Sequence, residues 1–82
     1  MRIDKYLWCT RYYKTRSIAT QAIQKGHVTV NGQQAKASRD VLPGDKITVR
    51  RDQINYIVKV LDIPANRVGP KLVDLYRTDE TP

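Results

Sequence analysis

A chain of 82 residues with 15 Lys and Arg against 8 Asp and Glu carries a formal charge of +7, an excess that points to a phosphate-bearing partner. Its 40% hydrophobic content and clear periodicity exclude a disordered tail, and one domain of this size buries a little over about 60% of the surface its unfolded chain exposes. A single cysteine, Cys9, excludes an internal disulfide, and no apolar run has signal or membrane-spanning length, so a cytoplasmic protein without a membrane contact is expected.

In chain order, Ile3 and Leu7 stand one helical turn apart with Asp4 in the first turn, where a carboxylate suits the positive end of a helix. This predicts a first helix from residue 3 to about residue 11. Thr15 is placed to cap a second helix running to Lys25, and Gly26 to close it in the left-handed conformation. Ile18, Ala19, Ala22 and Ile23 fill an arc of about 140° on that helix, and Lys14, Ser17, Gln21 and Lys25 a neighbouring arc of about 80°. One face is for the core and the other for something polar.

After Gly26 the period becomes two. Val28 and Val30 alternate with His27 and Thr29, and Asn31-Gly32 is a strong hairpin signal leading to a return strand over 33–36. Pro43-Gly44-Asp45 turns into a third strand over 46–51, and the β-branched run NYIVKVL over 55–61 predicts a fourth. Pro70 followed by Leu72, Leu75 and Tyr76 suggests a short helical turn before a frayed end. The fold class is α+β.

The charge is uneven. Residues 1–60 hold 12 basic and 4 acidic side chains, whereas residues 61–82 hold 3 and 4, so an anionic partner should meet the N-terminal three quarters. Constellations for catalysis are missing from the sequence: His27 has no Cys, Asp or Glu at ligand or triad spacing, and the glycines form no phosphate loop. No catalytic residue, cofactor or metal is therefore expected, and Cys9 reads as a packing thiol. What remains is a basic set. Arg2, Lys5, Arg11, Lys14, Arg16 and Lys25 belong to the helices, joined by Thr15 and Gln21, while Lys36, Ser38 and Arg39 follow the hairpin. Arg forks, mobile Lys charges and hydroxyl donors are the mixture that phosphate oxygens require. Trp8, Tyr12 and Tyr13 either stack on unpaired bases or pack into a core that has no Phe.

The motifs MRIDKYLW, KTRSIA, QKGHVTVNGQQAK and PGDKITV, in this order over about residues 1–50, resemble the RNA-binding domain named for small-subunit ribosomal protein S-four, the alpha-L motif. The resemblance implies two or three short helices packed on a small, bent, mostly antiparallel sheet of three to five strands, with a basic surface for structured RNA. It places this domain at 1–62 and leaves 63–82 as a short C-terminal extension with a helical turn. Thr15-Arg16 stands where many members have Ser-Arg, which keeps hydroxyl and guanidinium. RIDKYLWCTRYYKTRSIA, NGQQAKAS and Leu75-Tyr76 are similar to the bacterial heat-shock protein fifteen group, which implies rRNA of the large ribosomal subunit and peptidyl-tRNA as partners of a monomer. Contacts that this group makes through a long basic C-terminal extension do not carry over to the slightly acidic residues 61–82. The layout also resembles the stand-alone ribosome quality control protein that assists alanine tailing. Three other readings compete: a weak DNA-binding module built on the helix pair, an accessory domain serving an RNA-modifying enzyme, and a protein adaptor using Leu72, Leu75 and Tyr76.

Overall fold

The computed structural model describes residues 1–81. Helix α1 spans Ile3–Cys9 and α2 spans Arg16–Gln24; strands β1 (Val28–Val30), β2 (Gln33–Gln34), β3 (Lys46–Arg51), β4 (Ile54–Val60) and β5 (Arg77–Asp79) follow, with a 3-10 turn at Val73–Leu75 before the last strand. The five strands form one antiparallel sheet in the order β2-β1-β3-β4-β5.

Alternation decides which face of the sheet is covered. Val28 and Val30 of β1 stand opposite Val49 and Ile47 of β3, and Ile47 in turn stands opposite Val58 of β4. Because directly opposed residues share a face, these valines and isoleucines form continuous apolar rows, all buried. The helices cover the rows with Ile3, Tyr6 and Leu7 from α1 and Ala19, Ala22 and Ile23 from α2. Burying each such aliphatic side chain contributes about 1.5–3 kcal/mol.

The boundaries follow from capping. Thr15 has the extended backbone of an N-cap, and its Oγ1 accepts from the Ile18 N–H at 3.0 Å. At the other end Gly26 lies at φ +81°, the Gly26 N–H donates to Ile23 O and the His27 N–H to Ala22 O, both at 3.0 Å. That pair of bonds is the Schellman closure, which requires a left-handed residue. Asn31 and Gly32 both have positive φ, as a two-residue hairpin turn demands.

Several expectations are corrected. Helix α1 stops at Cys9, and Arg11 takes a left-handed conformation at φ +69° instead of ending the helix. Ile18 is 44% exposed; it lies at the edge of the apolar arc, one step from Lys14 and Lys25 around the helix, and the core takes the remainder of the arc. The return strand ends at Gln34, the fourth strand runs 54–60, and the C-terminal turn forms at Val73–Leu75 rather than from Pro70. β5 is the fifth strand of the three to five expected, at a place, Arg77–Asp79, that no apolar alternation marks. The segment beyond residue 62 lies against α1 and the loop after it: the Tyr6 hydroxyl donates to Tyr76 O at 2.9 Å, Arg11 Nη1 to Val68 O at 3.2 Å, and Arg67 Nε to Trp8 O at 3.3 Å.

Candidate nucleic-acid interface

The centre of the helix pair is a buried carboxylate. Asp4 is 1% exposed, and a charge so placed is tolerated only when paired and hydrogen-bonded. Arg2 supplies a two-pronged bond, Nε to Oδ1 at 3.2 Å and Nη2 to Oδ2 at 2.9 Å; the Lys5 N–H donates at 2.7 Å and the Thr20 hydroxyl at 3.1 Å. Arg16 Nε lies 3.5 Å from Oδ1. Burial by itself would raise the Asp4 carboxyl, but the Arg2, Thr20 and Lys5 hydrogen bonds and the Arg16 charge outweigh it and hold the group below its ordinary value.

Both arginines are half exposed. Each therefore turns part of its guanidinium inward and keeps free N–H groups outward, already oriented. Lys14, Gln21 and Lys25 are exposed, and among the described residues their side chains make no hydrogen bond or ion pair. Thr15 is exposed, its hydroxyl oxygen occupied as a cap.

The segment after the hairpin is stitched to the start of α1. The Ile3 N–H donates to Arg39 O at 2.8 Å and the Val41 N–H to Met1 O at 2.9 Å, so that Arg2 and Asp40 pair through their backbones as an isolated antiparallel β-bridge. The first amide of α1 is thus engaged internally. A groove of about 450 Å³ results, walled by Arg2, Ile23 and Gln24 on one side and by Gln34, Lys36 and Ser38 on the other, with Gly26 at its end. Gly26 matters twice there, since a Cβ on it would stand 3.4 Å from Gln34 Oε1.

The structure thus brings Arg2, Lys36 and Ser38 into one groove; Arg16 lies on the side of α2 turned to Asp4, whereas Gln21 stands about 140° away around the helix, with Lys14 and Lys25 flanking the helix ends. Lys5 is half-buried on α1. Arg11 is turned toward the C-terminal segment, and Arg39 is partly buried, its Nε without a hydrogen-bond partner among the described residues. Sequence reasoning left Gln24 and Gln34 out of the site; their spacing from Gly26 is the signal that could have found them.

The aromatic residues serve the interior. Tyr12 and Tyr13 are buried, and three arginines lie over the rings: Arg67 over Trp8 at 5.5 Å, Arg77 over Tyr12 at 5.2 Å and Arg51 over Tyr13 at 5.9 Å. Base stacking on the two tyrosines is thereby corrected, because their faces are covered. Cys9 is buried, and burial pushes its thiol up against the lowering charges of Lys5, Arg16 and Arg67.

A family model described as the S4 domain matches residues 1–47. The chain belongs to the S4 domain family. Among S4 domain relatives, it is 38% identical over 76 residues to the RQC P-site tRNA stabilizing factor of Bacillus subtilis, covering 93% of this chain and 88% of that protein. It is 41% identical over 63 residues to Heat shock protein 15 of Escherichia coli, covering 74% of this chain and 47% of that one, so it spans about half of that relative. The trimeric structure of Vibrio cholerae Heat Shock Protein 15 superposes with a TM-score of 0.92 at 35% identity, over 96% of this chain and 80% of that one. The shared S4 architecture is two helices on a small antiparallel sheet. Among the described residues no helix is long and apolar enough to cross a membrane.

Proposed function

We propose that the chain is a non-catalytic RNA-binding protein whose α2 face and adjoining groove grip structured rRNA on the large ribosomal subunit, beside a tRNA. The observation that carries this reading is the pair of half-exposed guanidiniums, Arg2 and Arg16, held on Asp4, with Arg2 sharing a groove with Lys36 and Ser38. Prefixed forks suit phosphate oxygens, since little side-chain entropy is left to lose on binding. Binding then reads the shape of an RNA helix and its phosphates rather than a base sequence.

The proposed role is in rescue or recycling of stalled large subunits that still carry peptidyl-tRNA, acting as a monomer. A second reading is favoured by the relative whose name is P-site tRNA stabilizing factor: support of C-terminal tailing of nascent chains, by holding tRNA on the obstructed subunit. Both place the same face on RNA.

Co-sedimentation tests this. The Lys14→Glu/Lys25→Glu variant is expected to leave the large-subunit fraction while keeping its thermal transition, and the parent protein to dissociate steeply as salt rises, because each neutralised phosphate releases counterions. A folded double variant that still sediments with subunits would refute the site. Comparing subunits with and without peptidyl-tRNA, and then assaying tail addition, separates the two roles.

A further inference from the structure

The sheet has a second face. Val28, Val30, Ile47, Val49 and Val58 join the helices in the core and are buried, so the residues that alternate with them along the strands point the other way. On that outer face Lys46 stands opposite Lys59, Thr48 opposite Thr29 and Ile57, and Arg50 opposite Asn55. None of these residues is buried.

Lys46 and Lys59 are like charges at directly opposed positions, where Cβ atoms lie about 4.5–5.5 Å apart and repulsion destabilises a sheet. Nothing relieves the pair: among the described residues neither ammonium group makes a hydrogen bond or an ion pair, and neither does the Arg50 guanidinium. Asp45, just before Lys46, is taken up by the Asn31 side chain and the Leu42 N–H. Glu80 is the carboxylate set opposite Ile57, its own N–H donating to Ile57 O at 2.7 Å, and it makes no ion pair with Lys59 among the described residues. Charge that guards a sheet against edge-to-edge pairing belongs on outer strands, whereas β3 and β4 are inner ones. Folding and edge protection therefore leave the lysine pair without a purpose, and an anion seated between the two ammonium groups supplies one. Arg50 extends the stripe, four residues and about 13 Å along β3 from Lys46.

We infer that this open face is a second RNA contact, in which Lys46 and Lys59 straddle a phosphate backbone and Arg50 holds it further along β3. A phosphodiester chain fits the stripe because it presents anionic oxygens in succession, where a single small anion would engage the lysine pair alone. The assignment rests on the RNA-binding reading above and adds a surface which that reading does not use. Arg2 and Arg16 sit in the helix layer and the lysine pair on the far side of the sheet, so the protein lies between two RNA segments and ties them together.

The test measures binding of the full chain to purified large ribosomal subunits and to unfractionated tRNA across a salt series, with thermal melts for folding. Lys46→Gln/Arg50→Gln/Lys59→Gln is expected to bind at least one of the two RNAs tenfold or more weakly, with a salt slope lower by about three, and to melt no lower than the parent. The RNA that is lost names the source of the backbone. Lys59→Glu alone is expected to raise the melting temperature by a few degrees, because Lys46 gains a partner, while weakening binding of the same RNA. Greater stability with no loss of affinity would reduce the pair to surface charge and overturn the contact. If the folded triple variant binds both RNAs as the parent does while Lys14→Glu/Lys25→Glu fails, the open face is overturned and the helix-face reading stands. If neither set weakens binding, both fall. Duplex DNA held as tightly as RNA, and lost with the same triple variant, would overturn the assignment to RNA.

Discussion

Arg16 of α2 reaches Asp4 of α1, Nε to Oδ1 at 3.5 Å, so that an almost fully buried carboxylate on one helix carries a surface guanidinium of the other. The same carboxylate holds Arg2 and Thr20. Asp4→Ala removes the shared acceptor and is expected to cost about 2–3 kcal/mol, the range for hydrogen bonds to a charged group lost from a buried site. Urea denaturation measures the cost, and RNA affinity should fall as well, because both arginines lose their orientation. A variant as stable as the parent would show that the network is not structural.

Acid should weaken the fold through the same group. The Asp4 carboxyl lies below its unfolded value of 3.8, and so does that of Asp79, where burial is outweighed by bonds from Thr81 and Tyr12 and by Arg77. Carboxyls depressed in the folded state stabilise it above the unfolded value, and that contribution is lost as pH falls from about 3.8 through the lower folded values. Melting temperature should therefore drop below pH 4 in the parent and drop less in Asp4→Asn/Asp79→Asn. Parallel curves would contradict the assignment.

Gly26→Ala is expected to destabilise by about 1 kcal/mol, since a left-handed conformation costs a residue with a Cβ roughly 1–2 kcal/mol. For a domain of this size about 1 kcal/mol lowers the melting temperature by about 4–8 °C. Gly26→Asn should lose less. The alanine variant should also narrow the groove wall at Gln34, which a binding assay reads separately from the melt.

The turn between β3 and β4 runs the opposite way. Asp52 and Gln53 both have positive φ, at 52° and 65°, and glutamine gains nothing there that glycine would not give at lower cost. Gln53→Gly should raise stability by about 1 kcal/mol, seen as a higher melting temperature. An unchanged or lower value would mean that the Gln53 side chain supports the hairpin.

What could be read from the sequence was local. Thr15 caps the helix three residues ahead of it, Gly26 closes the same helix, and Asn31-Gly32 turns a hairpin whose flanking valines alternate; in each, signal and consequence lie within a few residues. What could not be read was long-range. Asp4 looked like an ordinary first-turn carboxylate because its Arg16 and Thr20 partners are on another helix. β5 consists of Arg77, Thr78 and Asp79, with no apolar alternation, and it becomes a strand because β4 offers it a free edge. The exposure of Arg2, Lys14 and Lys25 was legible as charge, whereas the opposition of Lys46 and Lys59 depends on the register of β3 against β4, which no periodicity reports.

The brevity of the two outer strands also bears on how the molecule meets copies of itself. β2 has two residues and β5 has three, and the longer β3 and β4 lie inside the sheet. Outer strands this short give another chain little unpaired backbone to zip onto, which is how sheet proteins avoid joining edge to edge. The molecule can therefore be present at high concentration and still meet its neighbours through charge, with self-association along the sheet disfavoured.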